Sequence, residues 1–145
     1  MVFIFWGCNN EPIDKETDTE INLGIPKNVS ISVDGIKMTV TWEAVNKALG
    51  YEIITASTDC GSGNRTINTK EKTAVITGSG SSAANVKINE GTSIEITLMA
   101  SSTSTPDIPM ASAVTAKVKS LGGTVSEVVY IDSEYSQTVN KTIDK

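Results

Sequence analysis

Residues 26–56 read PKNVSISVDGIKMTVTWEAVNKALGYEIITA, and the spacing of their apolar residues decides the fold class. Val29, Ile31 and Val33 alternate with polar neighbours, which places them on one side of an extended segment because strand side chains point to opposite faces in turn. Asp34 and Gly35 supply a turn. Met38, Val40 and Trp42 then repeat the two-residue period, and Tyr51 with Ile53 opens a third run after residues 46–50.

The same period continues downstream. Strands are predicted over residues 28–33, 37–45 and 50–57, then over 64–69 and 73–77, with Ile67, Val75 and Ile76 as inward candidates. Val86 and Ile88 alternate into residues 89–92, and residues 93–101 place Ile94, Ile96, Leu98 and Ala100 on one face. Residues 111–119 offer Ala111, Ala113 or Val114, Ala116 and Val118. The break in that alternation predicts a β-bulge on an edge strand guarded by Lys117 and Lys119. Between these runs lie polar or glycine- and proline-rich segments, residues 57–65, 78–84 and 102–110. Loops on a rigid scaffold are the usual seat of recognition, so any ligand is expected to touch one of the three.

This pattern resembles a fibronectin type III domain. In that family a proline precedes the first strand, here Pro26; the second strand ends in a Thr-Trp-acid step, here Thr41, Trp42 and Glu43; and a Gly-Tyr pair starts the third, here Gly50 and Tyr51. The resemblance covers residues 26–120. It implies an all-β, seven-stranded antiparallel β-sandwich of fibronectin type III or immunoglobulin-like form. It assigns 93–101 to the sixth strand, so that the family's corner tyrosine falls on Ile94. Trp42 and Tyr51 fall on core positions of the family. That leaves Tyr130 and Tyr135 as the aromatic residues open to a role as sugar platforms.

Composition narrows the function. The chain of 145 residues has room for one core, carries a net charge of -5 and shows no basic cluster on any predicted strand. A nucleic-acid partner would lack the phosphate-neutralising charge that supplies most non-specific affinity. Histidine is absent, which removes the commonest general base and metal ligand. No metal or cofactor is expected, and the reading is of a non-enzymatic protein.

Residues 1–8 read MVFIFWGC. They resemble the end of a bacterial lipoprotein signal, in which a small residue, here Gly7, precedes the cysteine that becomes the lipidated N-terminus, here Cys8. The apolar run is too short to span a bilayer, which takes ~20 residues. Acylation of Cys8 would instead hold the protein at the cell envelope, on the outer membrane or cell surface. On this reading residues 1–8 are a signal remnant and 9–25 a polar, acidic tether. The fibronectin-like domain spans 26–120, and 121–145 form a C-terminal extension. Its run 124–131 is a strand candidate for the sandwich edge or for the opening of a second domain. Cys60 lies in a turn-rich loop and is expected as a free thiol.

The functional expectation is therefore a lipid-anchored envelope lipoprotein that serves as a binding or spacer module, for a glycan or a partner protein. The alternative is an assembly subunit that pairs with its neighbour through the C-terminal strand. Which residues would contact a ligand is not legible in the sequence.

Overall fold

The computed structural model describes residues 19–58, 65–76, 85–98, 100–102 and 104–144. Among these every regular element is a β-strand: β1 (Thr19–Asn22), β2 (Ser30–Asp34), β3 (Lys37–Thr41), β4 (Gly50–Ser57), β5 (Arg65–Asn68), β6 (Thr73–Ile76), β7 (Asn85–Ile88), β8 (Ser93–Thr97), β9 (Ala100–Ser102), β10 (Thr105–Pro109), β11 (Ala113–Leu121), β12 (Gly123–Val125), β13 (Val128–Ile131) and β14 (Val139–Thr142).

Two antiparallel sheets carry the core, one in the order β2-β3-β8-β7 and the other in the order β14-β11-β4-β5-β6. The alternation read from sequence sets which side chains meet between them. Met38, Val40, Ile94 and Ile96 from the first sheet and Ile53, Ile67, Val114, Ala116 and Val118 from the second belong to one buried cluster, giving a sandwich-like arrangement. Trp42 and Tyr51 join it as expected, with ring centroids 5.2 Å apart in an edge-to-face contact.

The pairing corrects several sequence expectations. Residues 93–101 do not run as one strand: β8 pairs with β3, and the chain then leaves that sheet for a hairpin of β9 with β10. The segment 102–110, expected to be a loop, thus contains β10. Strand β11 is not an edge. It lies between β14 and β4 and alternates regularly from Ala113 onward, so the expected bulge is absent. Lys117 and Lys119 stand on its outer face beside Tyr135 rather than guarding an edge. Val75 is 55% exposed because its register partner Thr66 points away from the core.

The segment 121–145 completes the larger sheet through β14. Its run 124–131 is not one strand. Residues Ser126 and Glu127, both at positive φ, turn it into a hairpin of β12 and β13. Strand β1 pairs in parallel with the other edge of β13, and Leu23, just after it, is buried. With β13 paired on both sides, a neighbouring chain reaches it only by displacing β1 or β12.

The sandwich has two poles. At the N-terminal pole, where β1 comes in, β3 ends, β4 begins and the β12–β13 hairpin projects. At the C-terminal pole lie the β2–β3 turn, the β9–β10 hairpin and the end of β14.

Candidate functional site

Three connections meet at the N-terminal pole. Residues 42–49 join β3 to β4, residues 69–72 join β5 to β6, and residues 89–92 join β7 to β8. Each is fixed by hydrogen bonds that its own sequence supplies. Val45 N–H donates to the Tyr51 hydroxyl at 2.8 Å, and Ala48 N–H donates to the Val45 carbonyl at 3.2 Å. Tyr51 N–H donates to Thr69 Oγ1 at 2.9 Å, and Glu71 N–H donates to Asn68 Oδ1 at 2.9 Å. Asn89 Nδ2 donates to Ser93 Oγ at 3.1 Å across the third turn.

Together they line an open-sided cavity of ≈ 570 Å³, within the range of small-ligand sites. Val45, Ala48, Leu49 and Ile88 give it apolar walls; Lys72 and Glu90 put one charge of each sign at its edge. Tyr51 lines it but is 6% exposed and packed edge-to-face against Trp42, so it presents no open ring for stacking. Gly50 is required here by space, because a Cβ would stand 2.5 Å from Lys70 Cβ and 2.7 Å from its backbone nitrogen. The Gly-Tyr step read from sequence thus has a physical cause: the first strand position abuts the 69–72 turn.

A second cavity, ≈ 350 Å³, lies at the opposite pole between Val33, Gly35, Asp107, Ile108, Pro109 and residues 141–144. Of the three loops expected to carry recognition, 102–110 lines this smaller cavity. Residues 59–64 and 77–84, the bulk of the other two, lie outside the described residues, as do Cys8 and Cys60. Among the described residues none of the three contributes to the larger cavity. Sequence reasoning misses that cavity because its walls are short turns far apart in the chain.

The outer face of the larger sheet holds a polar cluster. The Tyr135 hydroxyl donates to Glu52, while Lys117 and Lys119 Nζ lie 4.7 and 5.0 Å from the Tyr135 ring centroid. Lys119 Nζ is 3.8 Å from Glu52. Burial, reinforced by the Glu52 hydrogen bond and by the charges of Glu52 and Asp132, holds the Tyr135 hydroxyl above its usual range. Its polar tip and ring are engaged within the sheet, an arrangement unlike a free sugar platform.

Around this cluster the chain seals the edge of β11 with serines. Val118 N–H donates to Ser136 Oγ at 3.0 Å and Ser120 N–H to Ser133 Oγ at 2.9 Å, and the N–H groups of Ser136 and Ser133 donate back to the Val118 and Ser120 carbonyls. The edge is thereby closed to further strands beyond the reach of β14. Among the described residues no three His, Cys, Asp or Glu side chains gather as a metal site. No protein-family model and no curated protein matches the chain.

Proposed function

We propose that the protein is a lipid-anchored, non-enzymatic envelope module of fibronectin type III-like form, acting as a spacer that presents its C-terminal pole away from the membrane. One observation carries this reading: the chain comes in at one pole through β1 and its last strand, β14, ends at the other. An element that takes in the chain at one end and releases it at the opposite end adds its own length to the separation between the anchor and the far pole.

The fibronectin-like part is supported by the order of the two main sheets. The chain places β2 and β3 in one sheet, β4 to β6 in the other, β7 and β8 back in the first and β11 with β14 in the second. In that correspondence β11 takes the sixth-strand role expected of residues 93–101, and β14 the seventh. Ile94 is then not the corner position. The membrane part is supported by the Gly7-Cys8 step and the polar residues after it. A ligand carried by such a module would have the open-sided cavity of ≈ 570 Å³ as its site.

The test is fatty-acid labelling of the full chain expressed behind an extended native leader. Label in the parent protein and none in Cys8→Ser is the expected result. Equal labelling of both, or of neither, overturns the anchor.

A further inference from the structure

The geometry points to a neutral lipid bilayer as the surface against which the β12–β13–β1 sheet docks, an inference that rests on the proposed anchor. Direct register partners share a face of a sheet. Ile21, Tyr130 and Gly123 form one row, and Thr19, Val128 and Val125 form the next row on the same side. Leu49 joins this face, its Cδ1 standing 2.8 Å from where a Gly123 side chain would begin. The face is thus mostly apolar, with Thr19 at one corner and the Lys70 ammonium 3.3 Å from the same Gly123 position, and Ile21 is 42%, Val125 43% and Leu49 39% exposed. A sheet with one apolar side is ordinarily covered by a second layer, and among the described residues the cover over these three side chains is incomplete.

The proposed anchor at Cys8 identifies the cover. Thr19 pairs with Val128, next to the hairpin turn at Ser126 and Glu127. Only the ten residues 9–18 separate it from Cys8, a reach of at most ~35 Å. An acyl group on Cys8 therefore keeps the bilayer within range of the apolar face. At that effective concentration a contact too weak to bind alone is populated. Charge selects the lipid. The three strands put no charged side chain on this face, and the ammonium of Lys70, which stands over Gly123, is held on the Gly122 carbonyl at 2.9 Å. Glu127 at the turn balances that one cation, so the face carries no net positive charge to draw anionic headgroups, which leaves zwitterionic ones. Docking this face turns the N-terminal pole to the membrane and fixes the direction of the spacer.

The experiment uses the full lipidated chain in phosphatidylcholine vesicles that contain a quencher in the acyl region. A fluorophore is placed through Ser126→Cys or, at the other pole, Asp144→Cys, each with Cys60→Ser. Quenching at position 126 at least threefold above that at 144 is expected. Adding Ile21→Ser and Val125→Ser, both at exposed positions and each expected to keep the parent's circular dichroism spectrum, should abolish the difference while fatty-acid labelling persists. Equal quenching at the two poles of a labelled protein overturns the docking and leaves the anchor standing; so does quenching at 126 that survives both serines. Absent labelling removes anchor and docking together. A mass that doubles with concentration in detergent, and does so no longer with the two serines, assigns the face to a second copy of the chain and overturns the lipid partner.

Discussion

At the N-terminal pole five residues other than glycine, Asn28, Lys47, Lys72, Ser126 and Glu127, take positive φ, whereas at the C-terminal pole only Gly35 does so among the described residues. A side chain in that conformation costs about 1–2 kcal/mol, and such a cost persists only where the surroundings over-determine the backbone. The surroundings at the N-terminal pole are close-fitting: Tyr51 bridges to Val45 and Thr69, Gly50 touches the 69–72 turn, and Gly122 lies against the Tyr130 carbonyl. The larger cavity, the apolar hairpin face and the incoming chain are all here. Among the described residues, then, the N-terminal pole is held in shape against local preference, and at the opposite pole the β2–β3 turn uses a glycine for its one positive φ. Strain gathered beside a cavity and an uncovered face is what a functional end requires.

The largest test of this contrast is the core beneath the strained pole. Trp42→Ala should cost about 3–5 kcal/mol, as aromatic truncation in a packed core does, and so unfold most of a domain of ordinary stability. Trp42→Phe should cost much less, because the buried indole N–H has no partner among the described residues. Urea unfolding of the two variants checks both. A folded, undiminished alanine variant would place Trp42 on the surface and make it a candidate sugar platform.

Glycine substitutions compare the poles directly. A Cβ on Gly122 would lie 1.9 Å from the Tyr130 carbonyl oxygen, which is backbone and has no room to yield, so Gly122→Ala should cost up to about 3 kcal/mol and raise amide exchange in β12 and β13. At the other pole Gly35 has φ +59 and a Cβ site 3.3 Å from the Asp107 carbonyl oxygen. Gly35→Ala should cost about 1 kcal/mol and leave the hairpin's exchange unchanged. Equal losses would mean that the two ends are equally constrained.

The hairpin turn offers the converse test, a gain. A two-residue turn with both φ values positive favours Asn-Gly, yet this one is built from Ser126 and Glu127. The pair Ser126→Asn and Glu127→Gly should raise stability by about 1 kcal/mol and slow amide exchange in β13. No gain in the urea midpoint would show that the turn's strain is relieved elsewhere.

The turn also shows where sequence reading stops. Met38, Val40, Ile94 and Ile96 announce their strands because alternation is what a half-buried sheet demands, and Trp42 and Tyr51 fall in the core for the same reason. Strand β1, TEIN, buries none of its four residues, so no pattern marks it. The β12–β13 turn contains neither Gly nor Asn, and its run therefore reads as continuous. The serines that seal β11 act through single hydroxyls from residues 13 and 18 positions away. The cavity depends on three turns that only the finished fold brings together.

The smallest expected effect lies away from both poles, on the outer face of the larger sheet, and calibrates them. Tyr135 is neutral in the fold and its hydroxyl is held above the usual value of 10.0 by burial, by its hydrogen bond to Glu52 and by the charges of Glu52 and Asp132. An unfolded tyrosine ionises near pH 10. Because the folded pKa is the higher one, the folded state keeps a proton that the unfolded state gives up. The contribution is therefore complete below about pH 10 and is lost as pH rises beyond it. Urea midpoints of the parent should fall between about pH 9.5 and 11, and Tyr135→Phe, which cannot ionise, should fall less steeply over the same window. Lys117→Met and Lys119→Met versions of both proteins show how far the two ammonium groups beside the ring set the slope. If the parent and Tyr135→Phe slopes coincide in all backgrounds, the Tyr135–Glu52 contact does not contribute to holding residues 132–138 on the sheet, and the sealing of β11 rests on Ser133 and Ser136 alone.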